Sequence, residues 1–524
     1  MSITMKIPET YPHPQGELNK AISEAQLKLQ NSSLSVDTFN GKVQIEWDPD
    51  SATTPFGQLP FFIDFLKTAN LFEPWVDDCP LNLTSPNAPS KRDLLGTLLL
   101  STLAGHTRYA HITAIRNDGV NPGLLGMTKV VSEDSARRCL AKVEEENGSL
   151  WLQKHLAKCY LPLLGVPWIL DMDTTVKPLY GHQEGAVVGY NPQKPGRPSH
   201  SYHTYSIANL RLILDVEVAA GNHSATSYTS PGLWNIIDNL PINSRPQFIR
   251  GDCAFGNDNL MRGAEIRNLS YLFKLKQTKN VKLLIKRLLL DSDWSNAGQG
   301  WEGVESSIQL SGWEINRRVI VLRKKITTEL MVLTEEIKNN QREFNFGTVN
   351  AKTQVYEYAV LVTNLATEIH AVAQHYRDRA DCENTFDEMK NQWGWCGFTT
   401  QDLHRCKLMA RIIALVYNWW NLFVRLANPD KHLEAITSRP LLLHGIGKQT
   451  KHAGQNKIKL NIQHGESGKI QLFLGRISSF FNELRRNAEQ LTLEQRWYQI
   501  LSKAMEKYLN GRQLEPPNYL SQVL

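Results

Sequence analysis

The chain has 524 residues, 41% of them hydrophobic and 21% charged, which is enough for two or three globular domains and unlike a disordered or fibrous chain. Its seven scattered cysteines include no CxxC pair, which argues against a disulfide framework and a typical structural zinc site. The N-terminus has no apolar signal core, and the apolar run at 94–105 is too short to cross a bilayer. We therefore expect a soluble, cytoplasmic protein without a membrane partner.

Positive charge is concentrated towards the C-terminus. The net charge is +6, and residues 401–524 hold 18 Lys+Arg against 9 Asp+Glu, whereas residues 1–400 hold 40 against 43. A basic region of this kind is typical of proteins that bind nucleic acid, although a solvated basic surface has the same composition. We interpret residues 428–524 as a basic region for DNA binding or dimerisation.

The first part of the chain divides into an arm and a helical domain. Residues 1–45 are polar and predict a flexible arm, whereas residues 46–164 carry a helical apolar period. In "VVSEDSARRCLAKVEEE", Ser132 is a plausible N-cap, and Arg137 and Arg138 lie along the helix that follows. This helix is compatible with the recognition helix of a helix-turn-helix-like DNA-binding domain, and also with simple helical packing.

From residue 165 the apolar period changes to that of strands. The stretches "VPWILDMDTTV", "SYHTYSIAN", "LRLILDVEVAA", "PQFIRGDCAF" and "LSYLFKLK" predict five strands, with a helix on each side of the fourth. The order β-β-β-α-β-α-β is that of a ribonuclease H-like sheet. We therefore assign residues 165–276 and 367–427 to an α/β core of this type.

Residues 277–366 interrupt this core. Their strand-like stretches "WEGVESSIQL", "WEINRRVIVLRKK" and "YEYAVLVTN" predict a β-rich insertion, since a structureless loop of this length is uncommon. One continuous helix over 367–393 would then complete the core. Further on, the sequence predicts a long apolar helix, a basic stretch "GKQTKHAGQNKIKL", a strand at "KIQLFLG" and a closing helix.

Aspartates mark the first and fourth predicted strands of the core. Asp171 and Asp173 share a face of the first strand, because alternate strand residues point the same way, and Asp252 lies at the end of the fourth. These two strands are neighbours in a ribonuclease H-like sheet, so their carboxylates would repel each other unless a cation lay between them. Oxygen donors of this kind predict Mg²⁺, or Mn²⁺ in its place.

The helix over 367–393 would add a third carboxylate. At about 100° per residue, Tyr376, Arg379, Glu383 and Lys390 fall within an arc of about 60°. In isolation this pattern fits a solvated polar stripe, but its place beside the two aspartates favours a functional face. Two aspartates and one glutamate around two metal ions would form a site for in-line displacement at phosphorus.

The spacing Tyr-x2-Arg-x3-Glu-x6-Lys in "YRDRADCENTFDEMK" resembles the YREK signature of bacterial insertion-sequence transposases, which are DDE enzymes with a ribonuclease H-like, retroviral-integrase-like core. "DMDTT", "RGDCAF" and the loop "GHQEGAVVGYNPQKPGRPSH" extend this resemblance over about 165–475. It implies a cut-and-paste transposase that nicks DNA at element ends and joins the freed 3′-hydroxyl to target DNA. It also implies a homodimer bound to double-stranded DNA, namely the terminal inverted repeats of the element and the target DNA. The protein would then be associated with the nucleoid through this DNA.

The resemblance implies roles for individual residues. Asp173 is preferred over Asp171 because it matches the family pattern Asp-x-Thr. The implied catalytic, metal-binding triad is Asp173, Asp252 and Glu383. The implied DNA-phosphate contacts are Tyr376, Arg379 and Lys390.

The loop at 181–200 follows the first core strand and so lies close to Asp173. It is rich in Gly and Pro, and its Lys194 and Arg197 could follow a DNA backbone there. One departure from the family concerns the strand before the catalytic helix, which lacks the tryptophan that stacks on a flipped base in the best-understood members. Tyr356 and Tyr358 are candidate substitutes, and Trp294, Trp301 or Trp313 could reach in from the insertion.

Two other functions fit parts of this pattern. One is a ribonuclease H-like nuclease that cuts DNA without joining strands, and the other is a non-catalytic DNA-binding protein derived from a transposase. The intact set of three acids and its spacing argues against the second.

Overall fold

A ten-stranded mixed sheet forms the centre of the structure, and helices pack against it. The structure is a computed structural model that describes residues 34–46, 48, 51–191, 194–223, 225–291, 293–326, 355–452, 454–461, 463–487 and 490–516. Within these ranges no helix is long and apolar enough to span a membrane. The predicted mixed α/β class is confirmed.

A β-hairpin occupies part of the segment predicted as a flexible arm. Its two strands are β1 (Leu34–Thr38) and β2 (Gly41–Ile45). The pairing of Val36 with Val43 gathers the apolar side chains of both strands on one face, as a period of two residues requires. The arm prediction was therefore wrong for residues 34–45, and residues 1–33 lie outside the described residues.

The predicted helical domain is present. It follows the short strand β3 (Thr53–Thr54) and contains α1 (Leu59–Thr68), α2 (Phe72–Asp77), α3 (Lys91–Leu103), α4 (Ile112–Ile115), α5 (Asn121–Leu124), α6 (Glu133–Leu140) and α7 (Glu145–Tyr160). Ser132 accepts a hydrogen bond from the backbone N–H of Ser135 at the start of α6, as expected of an N-cap serine.

The core strands and helices occur where the sequence predicts them. They are β4 (Ile169–Pro178), β5 (Val187–Val188), β6 (Pro198–Ile207), β7 (Leu212–Ala220), α8 (Ala225–Asp238), β8 (Phe248–Gly251), α9 (Asp258–Ile266) and β9 (Ser270–Lys274). The strand order is β7-β6-β4-β8-β9, with β4, β8 and β9 parallel and β6 and β7 antiparallel to their neighbours. This arrangement is consistent with a ribonuclease H-like core.

The insertion is β-rich, as predicted, and its strands extend the core sheet. Its elements are α10 (Lys279–Asp291), β10 (Ser295–Gly298), β11 (Trp301–Ile308), β12 (Arg317–Lys325) and β13 (Tyr356–Thr363). Strand β13 pairs with β9 through Val362 and Phe273, and the order continues through β12 and β11 to β10. Residues 327–354 lie outside the described residues.

The remaining elements are mostly helical. They are α11 (Ile369–Arg377), α12 (Ala380–Asn391), α13 (Leu403–Ala427), α14 (Ala435–Leu442), β14 (Gly447–His452), β15 (Gln455–Leu460), α15 (Ser467–Arg486) and α16 (Leu493–Ala504). Helix α13 is buried along most of its length and connects the N-terminal helices to the sheet. Its Trp420 lies 5.3 Å from Phe62 of α1, and its Asn418 accepts a 2.9 Å hydrogen bond from the backbone N–H of Ile213 in β7.

The sequence prediction was wrong for one C-terminal segment. "KIQLFLG" lies within α15, where Ile470, Phe473, Leu474 and Ile477 are buried at helical spacing, a period that the seven-residue stretch was too short to show. The basic stretch "GKQTKHAGQNKIKL" forms the hairpin of β14 and β15.

The helix predicted over 367–393 is broken in the middle. Helix α11 ends at Arg377 and α12 begins at Ala380, and the backbone between them makes three-residue steps, with Arg379 donating to Tyr376 and Cys382 donating to Arg379. The assumption of 100° per residue therefore fails across the break. The side chains before and after the break are positioned by the packing of the helix to which each belongs, and not by one continuous helical period.

A buried ion pair ties β4 to β8 and to α11. Arg250 is 1% exposed and donates to both carboxylate oxygens of Asp171, at 2.5 and 2.6 Å. It also donates to the backbone carbonyl of His375 near the end of α11. Burial raises the pKa of Asp171, and the Arg250 guanidinium lowers it. Asp171 therefore has a structural partner, and Arg250 fixes α11 to the two strands beneath it.

We predict that Arg250→Met lowers the free energy of unfolding by about 3–5 kcal/mol, because it leaves the Asp171 carboxyl buried without a partner. The matched control is Arg262→Met, which breaks the ion pair of Arg262 and Glu314. These side chains are 46% and 59% exposed, so this substitution should lower the free energy of unfolding by less than about 1 kcal/mol. Urea unfolding of both variants measures the difference, and equal losses would contradict the prediction.

Candidate functional site

Asp173 and Asp252 lie level with each other on neighbouring parallel strands. In the register of β4 and β8, Asp171 pairs with Arg250, and each candidate aspartate lies two residues beyond that pair. Asp252 follows the end of β8 and accepts a 2.9 Å hydrogen bond from the backbone N–H of Ala254. The two carboxylates interact electrostatically, since Asp252 raises the pKa of Asp173. The structure thus brings together the two aspartates that the sequence pairs.

Glu383 comes to the same place from α12. It lies in the first turn of that helix, where the helix dipole favours a negative charge, and its side chain is 66% exposed. It also raises the pKa of Asp173, so both Asp252 and Glu383 lie within electrostatic reach of Asp173.

Arg379 lies between two of these acids. One terminal nitrogen donates to Asp173 Oδ2 at 2.9 Å, and the other donates to Glu383 Oε1 at 2.9 Å. The side chain is 7% exposed, and its Nε has no hydrogen-bond partner among the described residues. The resemblance assigned Arg379 to DNA phosphate. In this structure its guanidinium instead neutralises the proposed catalytic carboxylates.

Burial raises the pKa of Asp173 to about 6; Arg379 opposes this shift, and Asp252 and Glu383 add to it. The charged form of Asp173 is therefore costly without a nearby cation. The positive charge of Arg379 thus offsets part of the cost of ionising Asp173.

Tyr376 and Lys390 lie in different surroundings. Burial raises the pKa of Tyr376, which also responds to Arg379, Asp252 and Glu383, so its phenol stays protonated beside the acids. Lys390 lies in the last turn of α12. It is near Cys396, whose pKa is raised by burial and lowered by Lys390.

The donor set suits a hard divalent cation, because it consists of carboxylate oxygens. In the conformation described, however, no group of three or more His, Cys, Asp or Glu among the described residues is placed to hold a metal ion. The Arg379 guanidinium donates to one oxygen of Asp173 and to one of Glu383. The carboxylates of Asp173, Asp252 and Glu383 are donors of the type that a hard divalent cation prefers.

Tyr180, which the sequence analysis missed, organises the two cations of the loop after β4. The Lys194 ammonium lies 5.1 Å and the Arg197 guanidinium 4.7 Å from the centre of its ring, and Lys194 donates to its hydroxyl. All three side chains are exposed. An exposed aromatic in a basic, Gly- and Pro-rich loop was the available signal, since tyrosine and arginine commonly stack.

The other predicted DNA contacts are on α6. Arg137 forms a 2.6 Å ion pair with Asp134, which compensates its charge, whereas the Nε of Arg138 donates to the backbone carbonyl of Asp134. Of the two arginines, Arg138 is therefore the one that is exposed and has no ion-pair partner among the described residues. The structure does not bring this helix into contact with the acids.

Two acids near the site have structural partners. Glu184 accepts a 3.0 Å hydrogen bond from the backbone N–H of Leu403 at the start of α13. Asp387 accepts a 2.6 Å hydrogen bond from Asn391 one turn along α12. These contacts account for both residues without a role in chemistry.

Aromatic residues of the insertion surround one arginine. The Arg323 guanidinium lies 4.0 Å from the ring centre of Trp294 and 4.9 Å from that of Tyr356. Trp313, in contrast, is buried at 9% exposure. Of the candidate substitutes for the missing tryptophan, Tyr356 is therefore already engaged with a cation.

Comparisons with known proteins identify a family. The model of the family "Transposase DDE domain group 1" matches residues 87–446. One solved structure that matches is the cryo-EM structure of the piggyBac transposase synaptic complex with hairpin DNA, at 11% identity over 86% of this chain and 88% of that chain, with a TM-score of 0.37. That score is too low to carry an argument about this chain. No curated protein matches.

We predict that, in the absence of divalent metal, the substitution Arg379→Gln lowers the Tm of the protein more at pH 8 than at pH 5. Asp173 has a pKa of about 6, above its ordinary value, so burying its charge costs stability above that pH and Arg379 offsets part of the cost. As the pH falls through about 6, Asp173 takes up a proton and this contribution of Arg379 disappears.

The measurement is the Tm of both proteins in EDTA between pH 5 and pH 8. Arg262→Gln is the control, because its partner Glu314 is exposed, and it should change Tm little at any of these pH values. An equal loss of Tm at pH 5 and pH 8 in Arg379→Gln would contradict the assignment of the ion pair.

Proposed function

Because the chain belongs to the transposase DDE domain family, we propose that it is the DNA transposase of a bacterial insertion sequence, which cuts DNA at the element ends and joins the freed 3′-hydroxyl to target DNA. The observation that carries this proposal is the level placement of Asp173 and Asp252 on parallel strands, with Glu383 supplied by the neighbouring helix. A phosphoryl-transfer site of the DDE type requires this convergence of three carboxylates.

DDE transposases use divalent metal ions. In our proposal Asp173, Asp252 and Glu383 would hold two Mg²⁺ or Mn²⁺ ions, which when bound would activate the attacking oxygen and stabilise the leaving oxygen. Asp173 must give up its proton to act as a ligand.

Arg379 has two roles in this proposal. Without substrate it neutralises Asp173 and Glu383, which prevents three clustered negative charges from repelling one another. When DNA enters, a phosphate offers the guanidinium a new bidentate partner. Arg379 then releases both carboxylates, and the YREK contact to DNA is made by the same movement that frees the acids.

The DNA would extend from the acids along the surface that the remaining cations define. Tyr376, protonated beside the acids, can donate to a phosphate, and Lys390 can bind the next phosphate along α12. The pair of Lys194 and Arg197, held around Tyr180, would contact the backbone further from the scissile bond. A homodimer would hold two element ends together, as joining both ends to one target requires.

We predict that Asp173→Asn, Asp252→Asn and Glu383→Gln each abolish Mg²⁺-dependent strand cleavage while leaving DNA affinity within about threefold of the unsubstituted protein. Each change removes a charged donor oxygen and keeps the side-chain volume. The substrate is a duplex carrying the DNA that flanks the gene, with cleavage and strand joining read on denaturing gels.

Asp387→Asn is the matched control, because Asp387 lies one turn from Glu383 on α12 and its carboxylate accepts a hydrogen bond from Asn391. It should retain full activity. Retained cleavage in Glu383→Gln would refute the site. Nicks without joined products in the unsubstituted protein would favour a nuclease, and binding without cleavage would favour a non-catalytic DNA-binding protein.

We also predict that Arg379→Gln binds Mn²⁺ at least about tenfold more tightly than the unsubstituted protein when DNA is absent, because no guanidinium then competes for the two carboxylates. Electron paramagnetic resonance of free Mn²⁺ measures this affinity. Arg377→Gln is the control, since Arg377 precedes the helix break and donates to Gln374. Unchanged or weaker Mn²⁺ binding by Arg379→Gln would contradict the proposed release.

A further inference from the structure

The hairpin of β14 and β15, residues 447–460, carries a face of aligned lysines; we call it the lysine ribbon. Its six antiparallel pairs run from Gly447 opposite Leu460 to His452 opposite Gln455. Directly opposed side chains point to the same face of a sheet. One face therefore carries Lys448 opposite Lys459, Thr450 opposite Lys457, and His452 opposite Gln455.

This face is electrostatically unfavourable by itself. Lys448 and Lys459 are directly opposed like charges, which destabilise an antiparallel pair. The ribbon holds four lysines and no Asp or Glu. Its nearest acid is Asp48, whose carboxylate is 3.9 Å from the Lys448 ammonium with both side chains more than half exposed. Among the described residues, Lys457 and Lys459 have no acidic partner within ion-pair distance.

Only the base of the ribbon packs on the rest of the protein. Gly447 and Lys448 pair with the two residues of β3, and the backbone N–H of Gln449 donates to the carbonyl of Ala52 at 2.8 Å. Beyond this point residues 451, 452 and 454–457 are exposed. The outer part of the ribbon therefore projects from the body with its lysines in solvent.

The ribbon is also fixed relative to the helix that bears Glu383. The preceding helix α14 begins at residues whose backbone N–H groups donate to α12, that of Ala435 to Glu388 at 3.0 Å and that of Ile436 to Gln392 at 2.7 Å. A ligand bound by the ribbon would consequently be held in a set position with respect to the acids.

We propose that the lysine ribbon binds duplex DNA, with the face of Lys448, Lys457 and Lys459 against the phosphates that border one groove. This inference rests on the proposed function and names the surface that grips its substrate away from the acids. Strands of six residues span about 20 Å, and a two-stranded ribbon fits a major groove about 12 Å wide. A row of lysines, of which Lys457 and Lys459 have no acidic partner among the described residues, suits a regularly spaced polyanion, which would also relieve the repulsion between Lys448 and Lys459.

The test compares two triple variants of the full chain. The first is Lys448→Ala/Lys457→Ala/Lys459→Ala. The second, which removes the same number of charges, is Lys154→Ala/Lys469→Ala/Lys503→Ala, whose lysines are already paired with Asp78, Glu466 and Glu506. Fluorescence anisotropy with a 30-base-pair duplex and a 30-nucleotide single strand, at NaCl from 50 to 200 mM, gives affinity and its salt dependence.

The ribbon variant should bind the duplex about 10–100-fold more weakly than the unsubstituted protein. The slope of log affinity against log salt should also be smaller in magnitude by about 2–3, because each lost phosphate contact removes about 0.9 from it. The control variant should bind within about twofold of the unsubstituted protein. Lys451→Ala, on the opposite face, should change the slope less than Lys459→Ala. Unchanged Tm values would show that the ribbon variant is folded.

Equal loss of affinity in both triple variants, or an unchanged salt slope in the ribbon variant, would overturn the proposal. A loss confined to the single strand would also overturn it. Failure of the transposase proposal has a different signature: a protein that binds the duplex through the ribbon but neither cuts nor joins the flanking DNA. That result would support the ribbon and refute the proposed reaction.

Discussion

The repulsion among three clustered carboxylates is the constraint around which this structure is built. Burial raises the pKa of Asp173, and the neighbouring carboxylates of Asp252 and Glu383 raise it further. Arg379 meets this cost by bonding two of the acids at once. Arg379 precedes the first residue of α12, and Glu383 follows it by four residues in the first turn of that helix.

Around this set, each neighbouring charge is held by its own partner. Asp171 is bound to Arg250, and Asp381 at the start of α12 is bound by Arg211 at 2.9 Å. Glu388, buried further along α12, accepts hydrogen bonds from Trp393 and from the backbone N–H of Ala435. These pairings keep the other acids of β4 and α12 from adding to the negative charge at the site, and they anchor α12 on its far side.

Strand alternation and the placement of turns were enough to predict the core. The sequence located β4, β6, β7, β8 and β9, and parallel pairing of β4 with β8 brings Asp173 beside Asp252, as their strand positions suggest. The roles of the three acids remain predictions, although their proximity is now observed. This part was predictable because local hydrophobic periodicity locates the strands and the polar residues at strand ends locate the candidate site.

Tertiary packing decides the features that the sequence did not disclose. Nothing in the local pattern of "YRDRADCENTFDEMK" marks the helix break, because each half has good helical residues and the bend depends on how each packs. The bonding of Arg379 to Asp173 joins residues far apart in the chain. The strand prediction for "KIQLFLG" failed because Phe481 and Leu484, which complete its helical apolar face, lie outside that stretch.

Helix α13 has a consequence for how the protein is made. Phe62 of α1 and Trp75 of α2 contact Trp420 and Trp419 of α13, so the N-terminal helices complete their core with residues synthesised near the other end of the chain. At ribosomal rates of about 5–20 residues per second, their apolar faces wait tens of seconds for this partner. Contacts of such high sequence separation also form slowly. A nascent chain that stops before α13 is complete therefore leaves these apolar faces without their native partner.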